Sequence, residues 1–184
     1  MKQALRQRAR ELGKSLSIEE RQRRSASVYA QLVELLEAFD YQRIGIYMPM
    51  HDEPELGGLY DFLELEGKEL YLPRVIDSER IVMLRYRSGD TLERNGRFAL
   101  REPELVAGPM PEPLDVVLVP AVHFHNGYRL GRGKGYYDRY LAELRPRYLI
   151  GLSLGLLGQA PFCPDPWDEA MDFVIQPKTN DTDR

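Results

Sequence analysis

Two apolar runs, Val116-Val117-Leu118-Val119 and Tyr148-Leu149-Ile150-Gly151-Leu152, flank one amphipathic helix and constrain the fold of this chain more than any other feature. Each run reads as a buried strand. The helix between them places Tyr137, Tyr140, Leu141 and Leu144 at i, i+3, i+4 and i+7 before Pro146 stops it. The same alternation continues elsewhere. Residues 2–13 carry Leu5, Ala9 and Leu12 on one helical face, and the Ser17/Glu20 capping box opens a second helix through Val28, Leu32, Leu35 and Phe39. Residues 43–48 read as a strand ending at Pro49, and a short helix from Leu59 closes near Gly67. Residues 69–73, 81–86 and 172–175 read as further strands. Strands alternating with helices predict a three-layer α/β/α domain with a mostly parallel, Rossmann-like sheet. Residues 94–113 are rich in Gly, Pro and charge and read as a long surface loop over a site.

A chain of 184 residues, 43% hydrophobic and 29% charged, has material for one domain, expected to span residues 1–184. Its net charge of -4 and pI of about 5.5 argue against general nucleic-acid binding. Two basic segments nevertheless stand out, residues 2–24 with a net +5 and residues 129–147 with a net +4. A shared anionic ligand explains both; a solvated helix face explains the first almost as well. The single cysteine, Cys163, excludes an intramolecular disulfide and a Cys-rich zinc site. No apolar run has membrane-spanning length, and His51, His123 and His125 lack a regular metal spacing. The expectation is a soluble, cytoplasmic monomer that binds neither nucleic acid nor membrane.

Between the strand at 115–120 and the following helix lies Arg129-Leu130-Gly131-Arg132-Gly133-Lys134-Gly135-Tyr136-Tyr137, followed by Asp138. Glycines at every second position let backbone N–H groups approach an anion, while Arg129, Arg132 and Lys134 supply cationic donors. A strand, a glycine-rich loop and a helix N-terminus form a recurring anion site. The spacing matches neither a Walker loop nor a dinucleotide fingerprint. Lys2 and Arg6, four apart on the first helix, could clamp the same anion. In parallel sheets ligands gather at the carboxyl ends of strands, where Glu53 and the glycine loop both fall.

The run from Arg129 to Asp138, preceded by Val119-Pro120-Ala121-Val122-His123-Phe124, closely resembles the signature of the 5-formyltetrahydrofolate cyclo-ligase (methenyltetrahydrofolate synthetase) family. Three further anchors follow the family order: Lys2-x-x-Leu5-Arg6, Met48-x-x-x-x-Glu53 and Asp168-x-x-x-Asp172. The resemblance implies an ATP- and Mg-dependent conversion of 5-formyltetrahydrofolate into 5,10-methenyltetrahydrofolate, releasing ADP and phosphate. It further implies that Lys2, Gln3, Ala4, Leu5 and Arg6 bind ATP together with Arg129, Leu130, Gly131, Arg132, Gly133, Lys134, Gly135, Tyr136 and Tyr137. By the same resemblance Arg132 and Lys134 would carry the catalytic charge, and the stretch from Arg132 to Tyr136 would also touch the folate, as would Met48, Glu53 and Phe98. Asp138 and Asp168 would hold magnesium. Phe124-His125-Asn126-Gly127 departs from the family pattern, being one residue shorter and lacking an Asp.

Each residue also has a plainer reading. Asp138 suits the first turn of a helix, Asp168 a cap or turn, Glu53 a solvated loop, and tyrosines at helical spacing a core. Two other functions remain open on sequence alone: a non-catalytic nucleotide- or RNA-binding protein, and a sugar-phosphate or acyl-transfer enzyme on a similar scaffold.

Overall fold

The structure is a computed structural model, described over residues 1–95, 100–105 and 113–178. Its centre is a six-stranded sheet built from β1 (Arg43–Gly45), β2 (Glu69–Val75), β3 (Ile81–Tyr86), β6 (Val116–Pro120), β9 (Tyr148–Leu152) and β10 (Phe173–Ile175). Their spatial order is β10-β9-β6-β1-β2-β3. All pairings are parallel except β2 with β3, which joins the last strand as an antiparallel edge.

Side-chain alternation along β6 divides the core in two. Val116 and Leu118 face the cluster built with α2 (Ile18–Glu37) and α3 (Leu59–Leu65), whereas Val117 and Val119 face the cluster built with α4 (Tyr136–Glu143). Helix α2 contributes Val28, Leu32 and Leu36 at helical spacing, and α4 contributes Tyr140 and Leu141. Strand β9 alternates likewise, with Ile150 and Leu152 on one side and Leu149 on the other. These two faces make the three expected layers. Ser17 accepts from the Glu20 N–H at 3.1 Å, so the capping signature does start α2. No helix among the described residues is long and apolar enough to cross a membrane.

Three departures from the sequence reading have physical causes. Strand β1 ends at Gly45, but the ladder continues through the Ile46 N–H to the Tyr71 carbonyl at 2.8 Å. Residues 94–113 are not one loop: β4 (Leu92–Asn95) and β5 (Leu100–Pro103) pair antiparallel, and Arg74 ties them to the sheet through Glu93 at 2.9 Å and the Pro103 carbonyl at 2.9 Å. A second hairpin follows β6. Strands β7 (His123–His125) and β8 (Tyr128–Leu130) are joined by Asn126 and Gly127, both at positive φ (50° and 79°), the conformation that a two-residue hairpin turn requires. The shortened 124–127 segment is thus a tight turn.

Candidate active site

Strands β1 and β6 are neighbours, yet the chain leaves them in opposite directions, to α3 and β2 from one and to α4 and β9 from the other. That junction is a topological switch point, where an open α/β sheet leaves a crevice for a ligand. The 46–58 loop and the 121–135 segment both start there. Side chains from α1 (Lys2–Ser15) and from residues 165–168 complete the surroundings.

Helix α1 brings its two predicted cations to different partners. Lys2 Nζ donates to Asp165 at 2.7 Å and to Asp168 at 2.6 Å. Burial pulls its ammonium pKa down, but the two carboxylates outweigh that and hold it above its ordinary value. One turn on, Arg6 Nε donates to the Gly131 carbonyl at 2.7 Å. A Cβ on Gly133, which sits at φ 96°, would come within 3.4 Å of the Arg6 guanidinium. One helical face therefore joins the carboxyl-terminal acids to the glycine loop. Gln3 and Ala4 are exposed on α1, and Leu5 is half-buried.

Within the loop the side chains divide into a buried floor and an exposed rim. Arg129 is 7% exposed, and Leu130 is buried. Arg129 donates to Asp138 at 2.7 Å and to the Pro120 carbonyl at 3.3 Å, and its guanidinium lies 5.5 Å from the Tyr137 ring centroid. Gly131 makes room for it, since a Cβ there would stand 2.5 Å from Arg129 Nη1. Tyr137 is half-buried beside Arg129, and burial, then the nearby Glu53 charge, pushes its hydroxyl far above its ordinary pKa. Tyr136 is half-buried and donates to the Asp77 carbonyl at 3.3 Å. Gly133 and Lys134 form the exposed rim, and Gly135, at φ 68°, opens α4.

Arg132 crosses the switch point. Its Nε donates to Glu53 at 3.0 Å and its Nη2 to Asp52, so one guanidinium bridges the glycine loop and the 46–58 loop. Glu53 is buried rather than solvated, and its second oxygen accepts the Met50 N–H at 2.9 Å. Burial raises the Glu53 carboxyl above its usual range against the pull of Arg132. Burial also pushes Asp52 up, but there the hydrogen bond and charge of Arg132 win and hold it below its ordinary value. Met48 is half-buried against the first core cluster.

Asp138 and Asp168 each keep one carboxylate oxygen outside their ion pairs among the described residues. No group of three or more metal-ligating side chains occurs among those residues. Mg needs only one or two carboxylates beside phosphate oxygens and water, so this donor set fits it. Phe98 lies outside the described residues. His123 is buried and bonds the Ala160 carbonyl through Nε2 at 2.8 Å, a packing role, and Cys163 is exposed. Sequence reasoning missed Asp52, whose burial depends on an arginine eighty positions away, and Asp165, the second partner of Lys2.

The chain matches the profile of the 5-formyltetrahydrofolate cyclo-ligase family over residues 1–177. It is 29% identical over 191 residues to the 5-formyltetrahydrofolate cyclo-ligase of Mus musculus, covering 95% of this chain and 92% of that one. It is 31% identical over 135 residues to the cyclo-ligase of Mycoplasma pneumoniae, covering 72% and 71%. Two solved structures resemble it closely. The Mycoplasma pneumoniae 5,10-methenyltetrahydrofolate synthetase superimposes with a TM-score of 0.78 at 28% identity, covering 96% of this chain and 99% of that one. The Aquifex aeolicus 5,10-methenyltetrahydrofolate synthetase does so with a TM-score of 0.80 at 34% identity, covering 97% and 90%.

Proposed function

The chain belongs to the 5-formyltetrahydrofolate cyclo-ligase family, and from that premise we propose that it closes 5-formyltetrahydrofolate to 5,10-methenyltetrahydrofolate at the expense of ATP, as a single-domain monomer of the cytoplasm. The observation that carries this reading is the Arg132 bridge, which brings a cationic glycine loop and a buried carboxylate loop together at the switch point. One side of that crevice suits polyphosphate and the other suits a ligand rich in N–H donors.

The reaction asks little covalent help of the protein. The formyl oxygen attacks the terminal phosphorus and the bond to ADP breaks. The neighbouring folate amine then adds to the activated carbon and gives up its proton, and the carbon–oxygen bond breaks as phosphate departs carrying that proton. Charge builds on phosphoryl oxygens throughout, so preorganised cations and N–H groups supply most of the rate. In this reading Lys2 and Arg6 face the ATP phosphates from α1, with Gln3, Ala4 and Leu5 beside them. Backbone N–H groups of residues 131–135 and the start of α4 complete the cradle. Arg129 and Leu130 act from beneath, holding the loop in shape. Lys134 and Arg132 offset the charge on the transferring group. Met48, Glu53 and Phe98 receive the folate, with Tyr136 closing the side nearest the loop. Asp138 and Asp168 would hold Mg, which neutralises phosphate charge when bound.

The test is near-ultraviolet absorbance, where the methenyl product absorbs and the formyl substrate does not. Protein, 5-formyltetrahydrofolate, Mg and ATP are each omitted in turn. A rise that needs all four is expected; ATP binding by calorimetry with no rise would overturn the reading in favour of a binding protein.

A further inference from the structure

Asp52 is 9% exposed, in a loop between two elements, where a carboxylate ordinarily reaches water. From the 46–58 loop it reaches two of the other segments around the crevice, the glycine loop and α1. Its carboxylate accepts from Arg132 Nη2, tying it to the glycine loop. Its own Cβ lies 2.8 Å from where a Cβ of Gly13 would stand, so α1 approaches this loop only because residue 13 is glycine. The next residue is Glu53, which takes the Nε of the same guanidinium at 3.0 Å.

One guanidinium thus faces two buried carboxylates. A single acid would neutralise it, and a second buried charge costs desolvation that one cation does not fully offset. The second acid therefore needs a reason beyond stability. Folate N–H groups that Glu53 is to accept compete with the two donors its oxygens already serve, Arg132 and the Met50 N–H, and can exchange for one of them. With Glu53 alone, that exchange would free Arg132 to leave the crevice just as ATP and folate meet.

Resting on the function proposed above, we propose that Asp52 is a positioning residue: it keeps the Arg132 guanidinium fixed at the junction of α1, the glycine loop and the 46–58 loop while Glu53 exchanges its bond for a donor of the folate. Asp52 touches neither substrate. It acts only through Arg132, and Gly13 sets how deeply it sits.

Asp52→Asn keeps the volume and removes the charge; Gly13→Ala replaces no residue assigned to a ligand and sets a methyl against the Asp52 Cβ, so that α1 and the loop must part. Each is expected to lower kcat by about tenfold to a hundredfold, the range for a slightly misplaced catalytic group, while KM for 5-formyltetrahydrofolate stays within about twofold. The double variant should lose little more than the worse single, since both act through one guanidinium. Asp52→Glu, which restores the charge, should recover part of the loss. Melting temperatures of all variants are read alongside. If Asp52 only stabilises the fold, melting falls while kcat holds near wild type, and the proposal is overturned. Should one variant not fold, the other and Asp52→Glu still give the kcat comparison. An inactive wild-type protein would overturn the functional reading and this inference together; an active one with unaltered variants would overturn the inference alone.

Discussion

Lys134 is exposed on the rim of the glycine loop, and among the described residues its ammonium has no hydrogen-bond or ion-pair partner. A cation held out in this way contributes little to folding, and on the proposed function it would meet an incoming phosphate. Lys134→Ala should lower turnover by roughly a hundredfold, the scale for losing one preorganised charge. Its melting temperature should stay within about 2 °C of wild type, as for surface substitutions generally; a near-normal rate would remove the lysine from the site. Glu53 behaves in the opposite way. Burial raises its carboxyl above the ordinary value of 4.5, so the folded state holds the proton more tightly than the unfolded chain. The stability due to that proton is complete below pH 4.5 and is lost as pH rises through the raised value. Glu53→Gln lacks this loss, so its melting temperature should gain on wild type as pH increases from 4.5 upward, while its KM for folate rises more than that for ATP. A difference in melting independent of pH would mean that Glu53 is not held with a raised pKa. Asp52 and Glu53 also mark where sequence stops informing. Both look like solvated loop acids, and only Arg132, distant in sequence, turns them into partners of one guanidinium.

Elements with strong periodicity were legible, and those held by distant partners were not. The helices α2 and α4 and the strands β6 and β9 carry their own apolar pattern, and the structure places them where that pattern puts them. The β4/β5 hairpin carries Glu93, Arg94, Arg101 and Glu102 instead of an alternating apolar face, and it is fastened by Arg74 from β2. Nothing local announces it. The β7/β8 hairpin does carry a local signal, since Asn126-Gly127 is a strong mark of a two-residue turn. Strand β1 shows how one side chain can set an element's start. Asp115 accepts the Gln42 N–H at 2.9 Å and the Arg43 N–H at 2.7 Å. Burial pushes its carboxyl up, but the Arg43 and Gln42 N–H groups outweigh it and hold the pKa below 3.8. Asp115→Ala should cost about 1–2 kcal/mol in urea unfolding at neutral pH. With a lowered pKa, the stabilisation is present above pH 3.8 and fades as pH falls through the folded value, so the gap between the two proteins should narrow in acid. A gap that stayed constant would refute the ionic role.

At the scale of the molecule, the sheet order turns sequence-distant segments into neighbours. Residues 2–6, 52–53, 129–138 and 165–168 meet because β1 and β6 lie side by side and because α1 spans from the glycine loop to the carboxyl-terminal acids. The α/β class and the crevice at the strand ends could be read from pattern alone; the interlocking of α1 with residues 165–168 could not, since Lys2 and Asp168 share no local motif. That ion pair bears on how the protein comes into being. As the chain folds, Lys2 stays without its two carboxylates until residues 165–168 reach α1. Strand β10, which closes the sheet beside β9, follows them. The central strands can pair before that, whereas the contact of α1 across 166 positions of sequence forms only once both segments are in place.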